Sequence, residues 1–312
     1  MPGPRDGAAR LLVAGAINTD LVARVNAAPS AGETVTGQSF AQFGGGKGAN
    51  QAVAAARYGA DVAMLGAVGP DEFGRSRLSA LAKEGIDTAS VPIIAEASSG
   101  VALIVVEERT GQNRIAYIPG ATRLVPAAEA KALMHRFQPL VVLTTQELPL
   151  PTLTMLLSEA RLSGAKVVLN ATPEAASGRS LLMLVDLLIV NETEATELLG
   201  RSVDATNAAA AVVALRSLGP NAAIITLGAA GAAVADGEEV VLIAAPAVDV
   251  VDTTGSGDAF CGVTAAGLAE GNSLVEAARS GVVAGSIAAT RQGAQPSMPS
   301  RQEIDQFRRE FR

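Results

Sequence analysis

Short, continuously apolar runs separated by stretches of helical length constrain this chain more than any other feature. They recur at 11–16, 62–68, 140–144, 166–169, 186–190 and 223–227. A strand with one face in water alternates polar and apolar residues, whereas a strand covered by helices on both faces does not. The intervals mostly leave room for a crossover helix. The pattern therefore predicts βαβ units and an α/β fold, with a doubly wound, mostly parallel sheet flanked by helices. At 312 residues, 49% of them hydrophobic, the chain can bury a sizeable core. No repeat, low-complexity tract or linker divides it, so a single domain over 1–312 is expected.

Two segments break the alternation, 18–43 and 98–118. In the second, an apolar run at 101–106, a turn at Thr110-Gly111 and a further run at 114–118 predict a β-hairpin. A hairpin without a crossover helix fits poorly inside a parallel sheet, so both segments are assigned to a small separate β-layer that could act as a lid. After Asp258, the residues Phe260, Val263, Gly267 and Leu268, with the small Thr264 between them, predict a helix with one buried face, running to Gly271.

Composition removes several function classes. With 24 Lys+Arg against 31 Asp+Glu the net charge is −7, and no basic run offers a footprint for nucleic acid or an anionic membrane. A small ligand is expected. The sole cysteine, Cys261, excludes an intrachain disulfide and any multi-cysteine metal site; without a secretory signature the chain reads as cytoplasmic. The sole histidine, His135, has no evident partner and reads as a surface or packing residue. The run at 11–16 is too short for a signal peptide and is expected to stay attached. Apolar stretches such as 181–190 are interrupted by Asp186 and fall well short of the roughly 20 residues needed to cross a bilayer.

Two glycine clusters carry the chemistry. The first is Gly44-Gly45-Gly46-Lys47-Gly48-Ala49-Asn50. A Walker A loop would need Gly at Ala41 and Ser or Thr at Gly48, so that reading fails. A dinucleotide fingerprint matches loosely at Gly44, Gly46 and Ala49, but far from the first strand. What remains is a backbone that lets a ligand approach, with Lys47 and Asn50 offering donors to a polyol; a packing loop at a helix start is the plainer reading.

The second cluster, Asp252-Thr253-Thr254-Gly255-Ser256-Gly257-Asp258, ends a strand-like run and opens the helix described above. Successive amides of Gly255, Ser256 and Gly257 at a helix N-terminus make a site for negative charge. Asp258 in the first turn is either a cap or a base. Capping does not call for the glycines before it, which favours a base beside an anion hole, an arrangement suited to phosphoryl transfer.

Residues 45–52 and 252–258 resemble the two signatures of the PfkB-type sugar kinases, and in particular their ribose-phosphorylating members. Asn18-Thr19-Asp20, Asn191-Glu192-Thr193-Glu194, Thr226-Leu227-Gly228 and the run at 290–297 match the family in the same order. The resemblance implies ATP-dependent phosphorylation of D-ribose at its 5-hydroxyl, with Asp258 as base and Gly255, Ser256 and Gly257 as anion hole. It implies Asn18, Thr19, Asp20, Gly46, Lys47, Gly48, Ala49, Asn50 and Glu147 around the sugar. Asn191, Thr226, Leu227, Gly228, Ala229, Ala230, Gly231, Gly257, Asp258 and Val282 would meet ATP. Asn191 and Glu194 would serve Mg²⁺, partly through water, and Asp252, Thr254, Ala288, Arg291, Gly293 and Ser297 a K⁺ activator. A homodimer through the β-lid is also implied.

The departures are Ser256 where Ala is common, Ala259 where Thr is common, and Val282 where some members place His near adenine. Cys261 is expected to be buried and inert. The alternatives are a kinase for 2-deoxyribose, another furanose or a nucleoside, a dinucleotide-dependent enzyme using Gly44 to Ala49, or a sugar-binding regulator without catalysis. The intact Gly-Ser-Gly-Asp run argues against the last two.

Overall fold

The computed structural model describes residues 9–171 and 175–310. In chain order its elements begin β1 (Arg10–Ala14), β2 (Asn18–Val25), β3 (Gly37–Gly45), α1 (Lys47–Tyr58), β4 (Asp61–Leu65), α2 (Glu72–Lys83), β5 (Gly100–Glu107) and β6 (Asn113–Ile118). They continue with α3 (Ala127–Phe137), β7 (Val141–Thr145), α4 (Leu150–Ser163), β8 (Lys166–Asn170), β9 (Leu187–Asn191), α5 (Glu192–Leu199) and α6 (Ala208–Arg216). The last are β10 (Ala222–Thr226), β11 (Ala232–Asp236), β12 (Glu239–Ile243), α7 (Ser256–Ala269), α8 (Leu274–Ala289) and α9 (Arg301–Glu310).

The main sheet has the order β12-β11-β10-β9-β8-β7-β1-β4. From β4 to β10 every pairing is parallel, as the apolar runs predict. Alternate residues of one strand feed opposite layers. Leu11 and Val13 pack in the core that contains residues of α1, α7 and α8, and Leu12 and Ala14 in the core that contains residues of α3, α4, α5 and α6. Burial on both faces is why these strands carry no polar alternation. The antiparallel edge β11–β12 was not anticipated, although the Asp236-Gly237 turn between its strands is a hairpin signal.

The two segments that break the alternation form a second sheet, ordered β3-β2-β5-β6. Its outer pairs are antiparallel and include the expected hairpin β5–β6, while β2 and β5 run parallel in the middle.

Two expectations need correcting. α7 does not have one buried face, because every residue from Asp258 to Ala269 is buried. Its Ala and Gly positions let it sit between α1 and α8 as a central helix; a Cβ at Gly262 would collide with the carbonyl of Gln51. The strand-like run before Asp252 is not a strand. Pro246 lacks an N–H, and the N–H groups of Val251 and Asp252 both donate to the carbonyl of Ala289 at the end of α8 (2.8 and 3.1 Å).

Helix α1 is pressed onto the sheet by glycine. A Cβ on Gly48 would lie 2.6 Å from the Cα of Gly15, just after β1, where no flexible side chain can yield. Gly48→Ala is therefore expected to cost ~1–3 kcal/mol by overpacking. A melting curve should show a drop of roughly 2–4 °C per kcal/mol; an unchanged Tm would contradict this packing.

Candidate active site

The main sheet changes winding direction between β1 and β7, since β4 follows β1 on one side while β7 to β10 extend on the other. Crevices at the carboxyl ends of parallel strands form where the winding reverses. Gly15 and Ala16 follow β1, Glu147 follows β7, and Asn170, Asn191 and Thr226 end β8, β9 and β10. Most of the expected site residues converge on this edge.

The first turns of α1 and α7 meet at Asp258. Its Oδ2 accepts from Asn50 Nδ2 at 2.9 Å and its Oδ1 from Gln51 Nε2 at 3.1 Å. The residue is 8% exposed. Burial raises its carboxyl above the ordinary carboxylate range, while Lys47 and the two amide donors pull the other way. Asp258 thus does not cap its own helix, whose N-cap is Gly255. Of the three amides expected in the anion hole, Ser256 N–H donates to the carbonyl of Thr253 at 3.1 Å. The N–H groups of Gly255 and Gly257 take no partner among the described residues, so they are the free donors.

Lys47 opens α1. Burial disfavours its charge, but Asp258, Glu194 and Glu147 together hold its pKa above the usual value. Glu147 Oε2 accepts from Ala16 N–H (2.9 Å), Thr145 Oγ1 (2.9 Å) and Gly48 N–H (3.3 Å), so it fixes the glycine loop. Asn191 and Glu194 form a reciprocal capping box at the start of α5: Asn191 Oδ1 accepts from Glu194 N–H (2.8 Å), and Glu194 Oε2 from Asn191 N–H (2.9 Å). Burial also raises Glu194, with Lys47 opposing.

The small sheet supplies Asn18, Thr19 and Asp20. Cross-strand register puts Phe43, Asp20, Ala102 and Tyr117 in one row. Asp20 lies over Gly45, where a Cβ would strike its carboxylate. Burial raises Asp20 to about 6, against the pull of Arg77 and with a further push from Asp258. Asn18 Oδ1, Thr19 Oγ1 and Asn50 Oδ1 are buried without a partner, and the alternation along β2 turns Thr19 to the face opposite Asn18 and Asp20.

At the end of β10, Gly228, Ala229 and Ala230 are exposed beside Thr226, whereas Leu227 and Gly231 are buried. Gly231 is structural, since a Cβ there would meet the carbonyl of Ile243. Val282 packs into the apolar core of α8. Just before α7, Asp252 accepts from the N–H groups of Thr254 and of Gly293 in the loop after α8, both at 2.9 Å, and these overcome burial to keep its pKa low. Ala288 O accepts from Arg291 N–H, Arg291 pairs with Glu303, and the Ser297 hydroxyl donates to Ala294 O. The loop after α8 packs against the N-cap of α7, because a Cβ at Gly255 would lie 2.9 Å from Ala294 Cα.

Three residues outside the expected set serve the site. Gln51 and Asn170 stand behind Asp258. Arg57, at the far end of α1, donates to the carbonyls of Gln295 (3.0 Å) and Met298 (2.8 Å) while paired with Glu84. Its place in the last turn of a helix was visible in the sequence, but its partners lie more than two hundred residues away. His135 does have a partner, Glu159 at 3.2 Å, on the exposed surface of α3. Cys261 is buried, with its thiol pKa pushed well up by desolvation, as expected of an inert thiol.

The pfkB family carbohydrate kinase profile matches residues 8–301. This chain belongs to the pfkB family of carbohydrate kinases. Ribokinase of Haemophilus influenzae is 38% identical to it over 299 residues, covering 95% of this chain and 97% of that protein. A deoxyribokinase of Salmonella typhi is 32% identical over 300 residues, covering 95% and 98%. The solved structure of Arabidopsis thaliana ribokinase complexed with ribose and ATP superposes with a TM-score of 0.87 at 28% identity, covering 96% of this chain and 98% of that one.

In this pfkB-family kinase Asp20 should oppose stability. A carboxyl whose folded pKa of about 6 exceeds its unfolded value of 3.8 destabilises the fold above pH 6, and the penalty fades as pH falls towards 4. Asp20→Asn is expected to raise stability at pH 7.5 by on the order of 1–3 kcal/mol. Melting curves at pH 7.5 and 4.5 would check this: the gain should be large at the first and fall to about a third of that at the second.

Proposed function

We propose that this chain transfers the γ-phosphoryl group of ATP to the 5-hydroxyl of D-ribose, giving D-ribose 5-phosphate and ADP. The observation that carries the reading is the buried Asp258 carboxylate, gripped by Asn50 and Gln51 and set one turn inside a helix that begins at the free N–H groups of Gly255 and Gly257. A carboxylate raised by burial is a stronger base, and Lys47 favours its ionised form. Asp258 accepts the proton of the attacking hydroxyl while the amides and the dipole of α7 receive the charge developing on the transferred group. Asn18, Asp20, Lys47 and Asn50 hold the sugar hydroxyls, and the small sheet closes over them as a lid. Thr226 and the exposed residues 228–230 line the nucleotide phosphates.

Among the described residues no group of three His, Cys, Asp or Glu could hold a metal. The buried carboxylate of Glu194, beside Asn191, suits a Mg²⁺ held mostly by phosphate oxygens and water. Such an ion would neutralise phosphate charge. The low pKa of Asp252, in contact with Gly293, suits a monovalent K⁺ among the carbonyls of the 288–297 loop. The exposed apolar side chains Phe40, Leu103 and Ile115 of the small sheet support a homodimer through the lid. No helix among the described residues is long and apolar enough to cross a membrane, and the free thiol of Cys261 fits the reducing cytoplasm.

A sugar panel with ATP and Mg²⁺ tests the substrate. Ribose should exceed 2-deoxyribose in kcat/KM by about 5- to 150-fold, because Asp20, Asn50 and Lys47 leave a polar group unpaired against the deoxy sugar. Equal or better use of deoxyribose would replace ribose with its 2-deoxy relative as the substrate. Asp258→Asn should lower kcat by roughly 10²–10⁴-fold with sugar affinity within a few-fold. Replacing Na⁺ by K⁺ at matched ionic strength should raise the rate, and identical rates would remove the cation assignment.

A further inference from the structure

We infer that Gln51 and Asn170 form a polarised amide relay that holds the Asp258 carboxylate in its working orientation, which makes both of them positioning residues for phosphoryl transfer. The inference rests on the reading of Asp258 as base. The polarity is set by the main chain. Asn170 Nδ2 donates to the carbonyls of Ile189 (3.2 Å) and Ala171 (3.3 Å), and a carbonyl can only accept. The Asn170 amide can therefore point only one way, with Oδ1 turned to Gln51.

That oxygen accepts from Gln51 Nε2 at 2.9 Å, and the same nitrogen donates to Asp258 Oδ1 at 3.1 Å. Reversing the Gln51 amide would set its oxygen against two acceptors. The arrangement leaves Gln51 Oε1 buried without a partner, in a residue with 0% exposure. An apolar side chain would fill that space without the orphaned oxygen, so packing alone does not account for an amide there. Asn50 takes the other carboxylate oxygen, and with both held the carboxyl group cannot rotate.

The charged or titratable groups that act on Asp258 and its surroundings are Lys47, Asp20, Glu147, Glu194 and Cys261, and none of them donates to Oδ1. Gln51 supplies that bond. Loss of the bond should free the carboxyl to turn and favour its neutral form.

The test compares Gln51→Met, Asn170→Leu and the double variant with wild type, using steady-state kinetics from pH 5.5 to 9, ribose titrations and melting curves. Gln51→Met should lower kcat by roughly 10- to 100-fold, a fraction of what the base itself contributes, and move the acid limb of kcat to higher pH, with the ribose KM changed by less than about three-fold. Asn170→Leu should do the same more weakly. The double variant should be no worse than Gln51→Met, because Asn170 acts only through Gln51. A folded Gln51→Met enzyme with wild-type kcat and acid limb, a loss confined to the ribose KM, or additive losses in the double variant would each overturn the relay. Should Gln51→Met fail to fold, Asn170→Leu carries the same decision through its acid limb. Asp258→Asn in the same assays separates the two levels: activity retained there removes the base itself, whereas an inactive Asp258→Asn beside an unaffected Gln51→Met removes only the relay.

Discussion

A carboxylate buried at the head of a central helix has to be satisfied by its surroundings or lose its charge, and much of this molecule is arranged around that requirement. Asp258 draws its donors from Asn50 and Gln51, so the first turn of α1 must lie against the first turn of α7. That approach is possible only because Gly262 lets α7 come within reach of the α1 backbone and Gly48 lets α1 lie on the end of β1. Glu147 then fastens the loop by accepting from Ala16 and Gly48. Remove the close approach and the carboxylate has no partners.

The same crowding of acids sets the electrostatics. Burial raises Asp20, Glu147, Glu194 and Asp258 together, and Lys47 or Arg77 opposes each of them. A fold selected for stability alone would not gather these groups at one sheet edge. Their cost is offset by the apolar cores on both faces of the sheet, which contain none of these charged groups. Function sits on the edge that the cores leave free.

How much of this was legible in the sequence follows from what kind of information each feature needs. The parallel strands were legible because double-sided burial leaves a local trace, an unbroken apolar run. The hairpin β5–β6 was legible from its turn. The all-round burial of α7 was not, because a helix rich in Ala and Gly shows no contrast between faces, and its burial depends on neighbours that are equally small. Val250 and Val251 carry strand-forming side chains but are 62% and 65% exposed, and their segment is shaped by the end of α8. In the site, Asp258 and the glycines announced themselves by local pattern, and Glu147 came only with the family resemblance. Asn170 could not be found from its neighbours in sequence, since its meaning lies in a contact with Gln51, 119 residues away.

The geometry of α1 adds a last step. Lys47 opens the helix, Asn50 and Gln51 hold the Asp258 carboxylate, and Arg57 at the opposite end grips the loop that packs against Gly255. One helix of 12 residues therefore joins the Asp258 carboxylate to the loop that packs against the start of α7. A rigid α-helix transmits displacement along its axis rather than absorbing it, so a shift of the loop held by Arg57 is felt at Asn50 and Gln51. Asn50 donates through Nδ2 to Asp258 while its Oδ1 is buried and unpartnered, so the carboxylate alone decides which way this amide points. A group that satisfied the oxygen would lock the orientation in which the nitrogen serves Asp258.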